Sequence, residues 1–164
     1  MNIAWRDITV DDLSLLLRWR NENREWFGDS RKLTKEEHAA WFARYDDEYD
    51  QDTAVTSIVD NESGVYIGCL SIYNIRGPTA EIGRIVVDKP YRRLGYATQM
   101  VKEAMIWASM RYGVHSFHLT VKGDNHAAIA VYRKCGFVEG GSFGDVLMMV
   151  SGGCDDQSSA RGTS

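Results

Sequence analysis

The sequence predicts a single α/β domain built on a mixed sheet, and three observations carry that expectation. Three apolar, β-branched runs follow one another between residues 54 and 87, separated only by turn residues. From Ala97 the apolar period changes from that of a strand to that of a helix. A strand–helix–strand order then closes the chain, which asks for a crossover and therefore for parallel strands. At 164 residues the chain fits one ordinary domain. A domain of that size buries roughly 70% of its unfolded surface, enough for a core without a disulfide or a metal.

Residues 2–8 read as a short first strand with Ile3 and Trp5 on one face. Leu13, Leu16, Leu17 and Arg20 fall at helical spacing after Asp11, a candidate cap. Thr34 followed by Glu37 is a capping box, and its helix puts His38, Trp41, Phe42 and Tyr45 on one face. The five acids between Asp46 and Asp52 suit a solvated turn, or an acidic lip that attracts an amine. Residues 54–59 are a strand, Asn61-Glu62-Ser63-Gly64 a turn, and residues 65–73 the returning arm. Arg76-Gly77-Pro78 turns the chain again into residues 80–87, completing an antiparallel meander. Met100, Val101, Ala104, Ala108 and Tyr112 mark one helix face, and Gly113 sits where a C-cap glycine belongs. Residues 117–121 read as a short buried strand. Asn125 caps a helix holding Ile129, Tyr132 and Cys135, which Gly136 closes. Gly140-Gly141 reads as a turn and residues 146–150 as the last strand. Residues 151–164 hold no Leu, Ile, Val or aromatic residue, so nothing there repays the entropy of ordering. The domain is expected to span 1–150, with a disordered tail after it.

Composition excludes several function classes. Nineteen Lys and Arg against 23 Asp and Glu give a net charge of −4, without the basic stripe of a nucleic-acid binder. No stretch approaches the ~20 apolar residues of a membrane span, and residues 1–9 lack a signal core. Cys69, Cys135 and Cys154 are odd in number and far apart, which suits a reducing, cytoplasmic setting. No Cys or His spacing matches a metal site, so no metal is expected.

The informative stretch is Ile85-Val86-Val87-Asp88-Lys89-Pro90-Tyr91-Arg92-Arg93-Leu94-Gly95-Tyr96-Ala97-Thr98. A buried strand runs into a basic loop, and the loop into a helix whose unpaired N–H groups and positive dipole end favour an anion. Gly95 permits close backbone approach, and Arg92 and Arg93 add charge. The same pattern also suits a plain strand–helix connection with exposed arginines. It is neither a P-loop nor a dinucleotide fingerprint, yet it fits a pyrophosphate.

Arg92-x-x-Gly95-x-Ala97 resembles the acyl-CoA loop of the GNAT acetyltransferases. A second block, Asn125-x-x-Ala128-Ile129-x-Val131-Tyr132-x-Lys134-x-Gly136-Phe137, resembles that family's second conserved segment, and the element order matches across residues 1–150. The resemblance implies the GNAT fold: a mixed, mostly antiparallel sheet with a central splayed parallel pair, flanked by helices. It implies acetyl-CoA as cosubstrate, with its pantetheine along Ile85, Val86 and Val87 as an added strand would lie. The pyrophosphate would then rest on the amides of residues 93–98. An N–H near Val87 would polarise the thioester carbonyl, and Asn125 would touch the CoA arm. Tyr132 takes the place of the general acid that protonates the CoA thiolate. Glu81 is the first candidate for the base and His118 the second. Cys135 is not needed as a nucleophile, because family members usually transfer the acyl group directly.

The N-terminal third shapes the acceptor pocket in this family. Its Trp19-Arg20-Asn21, Arg24-x-Trp26 and Glu36-Glu37-His38-x-x-Trp41-Phe42 runs resemble the branch that acetylates nucleotide-linked amino sugars of pseudaminic acid assembly. They also resemble the ribosomal-protein N-terminal acetyltransferases. Trp19 and Trp26 would stack a base or sugar face, Arg20 and Arg24 would fork onto a diphosphate, and Asn21 and Glu81 would complete the pocket. The aromatics equally suit helix packing. The partner expected is a small-molecule amine; sheet-edge pairing allows a homodimer. A non-catalytic acyl-CoA sensor is the alternative class, disfavoured by the presence of both Tyr132 and Glu81.

Overall fold

The computed structural model describes residues 2–48 and 54–152. The strands are β1 (Ile3–Asp7), β2 (Ala54–Asn61), β3 (Tyr66–Arg76), β4 (Thr79–Val87), β5 (Ser116–Lys122), β6 (Val138–Phe143) and β7 (Val146–Gly152). The helices are α1 (Leu13–Glu22), α2 (Lys35–Glu48), α3 (Tyr96–Tyr112) and α4 (His126–Lys134). The strands form one sheet in the order β1-β2-β3-β4-β5-β7-β6. Every neighbouring pair is antiparallel except β4 and β5. That parallel ladder holds only Thr79–Ser116, Ala80–Phe117 and Glu81–His118, although β4 continues to Val87. The sheet therefore opens at its centre, as the splayed pair requires.

Helices α3 and α4 cover one face, over a core that includes Leu70, Ile72, Ala80, Ile82, Met100, Phe117 and Tyr132. On the other face α1 packs Leu16 and Trp19 over Ile58, Cys69 and Val86, with Trp41, Phe42 and Tyr45 of α2 against them. Local chemistry places the helix starts. Thr34 and Glu37 exchange the two bonds of a capping box, at 2.8 and 3.2 Å. The Asn125 side chain accepts from Ala128 N–H at 3.3 Å, and Gly113 ends α3 in a left-handed conformation at φ 69°. No helix of the described residues is long and apolar enough to cross a membrane.

Three sequence expectations need correction. Asp11 caps nothing, because a short 3₁₀ turn at Val10–Asp12 precedes α1 and begins from Thr9. The glycine pair at 140–141 lies within β6, at a register irregularity against β7, and the hairpin turn falls at Gly144 instead. A pair of glycines marks a bulge in a strand as readily as a turn. Finally, the last strand, expected over residues 146–150, runs on through Ser151 to Gly152. The side chains of the acidic run at 46–52, together with Cys154 and residues 153–164, lie outside the described residues.

Asp12 ties β1 to α1. It is 4% exposed, accepts two bonds from the Arg6 guanidinium at 2.7 and 2.8 Å, and a third from Thr9 N–H at 2.8 Å. The Arg6 bonds hold its carboxyl below the usual carboxylate range. A depressed folded value stabilises the fold above the ordinary carboxylate value and is lost as pH falls through the folded one. Arg6 is a third exposed, which screens the pair. Asp12→Asn should lower the unfolding free energy by about 1.5 kcal/mol at neutral pH. In urea titrations, its difference from the unsubstituted protein should shrink below about pH 4.

Candidate functional site

The site begins with one extra residue in β4. Between the Cys69–Val86 and Ser71–Gly83 pairs, β4 advances three positions while β3 advances two. Arg84 sits in this bulge with φ +50°. Side chains alternate faces along a strand, so the insertion switches parity. Ala80 and Ile82 face the α3–α4 core, and beyond the bulge Ile85 and Val87 do so. Glu81 and Val86 face α1 and α2. The Val86 side chain is buried in the α1–α2 core, which leaves only its backbone for a contact with the cofactor.

Before the bulge, register aligns three side chains across three strands. Glu81 is opposite Tyr73 of β3 and opposite His118 of β5. The Tyr73 hydroxyl donates to Glu81 Oε1 at 3.0 Å, and the Asn74 amide donates to Oε2 at 3.0 Å. His118 Nε2 lies 3.6 Å from Oε2. The two candidates for the base are therefore one constellation. Burial pushes the Tyr73 hydroxyl well above its ordinary range, and the Glu81 charge adds to this. Tyr132 lies in the α3–α4 core, edge-on to Phe137, within electrostatic reach of Tyr73. Burial pushes its hydroxyl up to about 12, so it holds its proton at neutral pH.

After the bulge, β4 leads into the basic loop. Asp88 N–H donates to Ile67 O at 2.8 Å, and the Asp88 carboxylate accepts from Lys89 N–H at 2.8 Å. Arg93 at φ 62° and Gly95 at φ 88° are both left-handed. Alternation of this kind turns successive N–H groups into a concavity suited to an anion. The N–H groups of Tyr96, Ala97 and Thr98 open α3 and have no partner in an earlier turn. Arg93 and Leu94 are exposed at the loop tip. Arg92, expected as a phosphate ligand, is committed elsewhere. Its Nε donates to Val87 O at 2.9 Å and its terminal nitrogen to Asn23 Oδ1 at 2.9 Å. Arg18–Asp88 at 3.0 Å makes a second tie between α1 and this loop.

On the α1–α2 face a cavity of about 310 Å³ is lined by Trp19, Arg20, Phe27, His38, Trp41, Cys69, Arg84 and Val86, among others. Here the acceptor expectations fare unevenly. Trp19 is 1% exposed and serves as core, with no free face for stacking. Asn21 spends its amide on both backbone groups of Leu33, at 2.9 and 3.0 Å, and so pins the loop before α2. Arg20 does line the cavity, but it donates to the carbonyls of Arg31 and Asp29 and lies over the Phe27 ring. Arg24 is not its helical neighbour, because α1 ends at Glu22 and Arg24 starts a separate 3₁₀ turn. Arg24 lines another groove, with Arg18, Lys32 and Lys35. Trp26 is 40% exposed and lines neither.

Sequence reasoning missed Tyr73 and Arg84 and gave His38 no role beyond a helix face. The available signal was Gly83, a glycine inside a strand, which often marks close approach by another group. A Cβ there would overlap the Tyr73 hydroxyl, and one at Gly68 would overlap the Val86 carbonyl. Among the described residues no cluster of three potential metal ligands occurs.

A sheet opened at its central parallel pair, beside a helix start shaped for an anion, is the arrangement implied by the resemblance to acyl-CoA-dependent transferases. The chain belongs to the acetyltransferase (GNAT) family, whose model matches residues 16–137. An uncharacterised N-acetyltransferase of Methanocaldococcus jannaschii is 29% identical over 137 residues, which is 82% of this chain. The matched segment spans 60% of the length of that relative. Among solved structures, a spermidine N-acetyltransferase from Vibrio cholerae in complex with CoA and spermine aligns with TM-score 0.78 and 21% identity. That alignment covers 90% of this chain and 94% of the other. A domain from Methanocaldococcus jannaschii aligns with TM-score 0.79 and 20% identity, over 92% and 98%. At these identities the structural likeness establishes the fold alone.

The two glycine contacts make separable predictions. Gly68→Ala sets a methyl against backbone and should cost about 1–3 kcal/mol in urea unfolding. Gly83→Ala meets the tip of a side chain, so it should cost less stability while displacing Tyr73 from Glu81.

Proposed function

We propose that this chain is an acetyl-CoA-dependent N-acetyltransferase that moves acetyl directly to a primary amine. The observation that carries the reading is the Tyr73–Glu81–His118 row beside the open end of the β4–β5 pair, with Tyr132 close by. Acetyl-CoA would lie with its pantetheine along residues 85–87 and its pyrophosphate on the amides of residues 93–98. Asn125, the cap of α4, would touch the CoA arm. An ammonium must first lose a proton, which Glu81 accepts directly or shares with His118. The nitrogen lone pair then attacks the thioester carbon, and the carbonyl oxygen takes the negative charge. An N–H near Val87 stabilises that oxyanion. Collapse breaks the C–S bond, Tyr132 gives its proton to the leaving thiolate, and the second proton shed by the acetylated nitrogen passes through solvent to restore the Tyr132 phenol.

For the acceptor we infer a nucleotide-linked amino sugar. The resemblance of residues 17–42 supports this, as does a cavity with Phe27 and Trp41 to face a sugar ring and arginines to meet phosphate. Spermidine is named for the Vibrio cholerae enzymes, and a peptide N-terminus for the sister branch. A screen of CoA-thiol release across amino sugars, nucleotide sugars, spermidine and short peptides separates them. The sugar reading expects turnover with nucleotide sugars and inert peptides; the reverse ranking overturns it.

Two outcomes test the shared chemistry. Acetyl-CoA at ~100 times its dissociation constant should stabilise the fold by about 2.7 kcal/mol, seen as a raised melting temperature. Tyr132→Phe keeps the ring and deletes one hydroxyl. It should lower turnover by about 10²- to 10⁴-fold and leave acetyl-CoA affinity nearly unchanged in calorimetry.

A further inference from the structure

Arg84 lies over two aromatic rings and is unpaired among the described residues. Its backbone adopts φ +50°, a conformation that side-chain-bearing residues rarely take. Its guanidinium lies 5.3 Å from the Trp41 ring centroid and 5.2 Å from that of Tyr73. Among the described residues no carboxylate or carbonyl accepts a hydrogen bond from it, and it forms no ion pair there. Two aromatic rings hold the guanidinium, and its N–H groups, unpaired among the described residues, are prepared for a forked contact with a carboxylate or phosphate.

A second observation comes from His38, whose ring stacks on Trp41 at 5.1 Å between centroids. His38 is 6% exposed, lines the same cavity, and its Nδ1 has no hydrogen-bond partner among the described residues. A buried polar atom without a partner is uncommon in a folded protein and asks for one. The charges facing this space are Arg20, Arg84 and Asp29, and Asp29 is already paired with Arg31 at 2.8 Å. The described lining is therefore net positive. A polyamine would meet like charge there, whereas an anion would meet two cations.

We propose that Arg84 determines acceptor specificity by pairing with a carboxylate or phosphate carried by the acceptor, with His38 Nδ1 as a further hydrogen-bonding group. The acceptor is then an amine that also bears an anion. Arg84 stacks on the ring whose hydroxyl is bonded to Glu81, so an anion held by Arg84 brings the amine of the same molecule toward that carboxylate. This deepens the transferase reading above and rests on it for the identity of the reacting group.

The test uses acceptors matched except for the anion: glycine against glycinamide, glucosamine 6-phosphate against glucosamine, with spermidine as the polycation. The full-length protein should favour the anionic member of at least one pair in kcat/KM. The pair that responds identifies carboxylate or phosphate as the source. In Arg84→Gln that preference should fall by about 10- to 100-fold, mostly through KM for the acceptor, with KM for acetyl-CoA unchanged. Arg84→Lys should restore part of it. Arg84→Asn, which tolerates a left-handed backbone, controls for strain. Calorimetry with N-acetylglycine and N-acetylglucosamine 6-phosphate in the presence of CoA reads the same preference without turnover. Anion-dependent binding lost in Arg84→Gln, with no thiol release from any amine, upholds the Arg84 assignment and rejects the transferase reading. Turnover that ignores the anion, or favours spermidine, overturns the assignment and leaves the transferase reading standing. Absence of both turnover and anion-dependent binding overturns the assignment as well.

Discussion

The inserted residue in β4 is the constraint on which the rest of the site depends. Without it, Glu81 and Ile85 would face the same side of the sheet, because strand side chains alternate. With it, the segment before Arg84 presents Glu81 to the α1–α2 face, while the segment after it lays Ile85 and Val87 against the α3–α4 core. One strand thereby serves two chambers. The cost appears in the left-handed backbone of Arg84 and in two glycines, Gly68 and Gly83, that leave room for the Val86 carbonyl and the Tyr73 hydroxyl.

The bulge and the short parallel ladder act together. Pairing between β4 and β5 stops at Glu81–His118, so that pair stands at the point where the sheet parts. Beyond it the backbone of β4 has no partner strand on that side among the described residues, and a linear amide-bearing chain is the chemical complement of such an edge. The loop after β4 is then oriented from α1, through Arg18 to Asp88 and Asn23 to Arg92. The helix that borders the cavity on the α1–α2 face also fixes the loop at the start of α3. Displacement of α1 is felt in both chambers.

Electrostatics divides labour among the ionisable groups. Tyr132 is buried and keeps its proton, which suits a donor. Glu81 is held by donors from β3 and faces an imidazole on β5, which suits an acceptor. Arg20 and Arg31 are spent on the loop between α1 and α2, whereas Arg84 has no hydrogen-bond acceptor among the described residues.

Much of this was legible in the chain itself. Alternation in residues 54–87, the helical period after Ala97, and the Thr34, Asn125 and Gly113 caps are local signals, set by backbone geometry within a few residues. The Arg92-x-x-Gly95-x-Ala97 loop was legible for the same reason, since a left-handed glycine and a helix start are neighbours in sequence. The acceptor side was not. Trp19 and Trp26 look alike as residues, and only packing makes one core and the other exposed. Arg20 and Arg24 have the spacing of helical neighbours, yet the helix ends between them. Glu81 and His118 were separate candidates on the page and became one pair through a parallel register that no local pattern encodes. Tyr73 and Arg84 acquired meaning from a bulge in a neighbouring strand pair. Local sequence determined which elements form and where a phosphate-binding loop would sit. Long-range register and packing decided which side chains share the site, because those contacts join residues that the chain itself holds far apart.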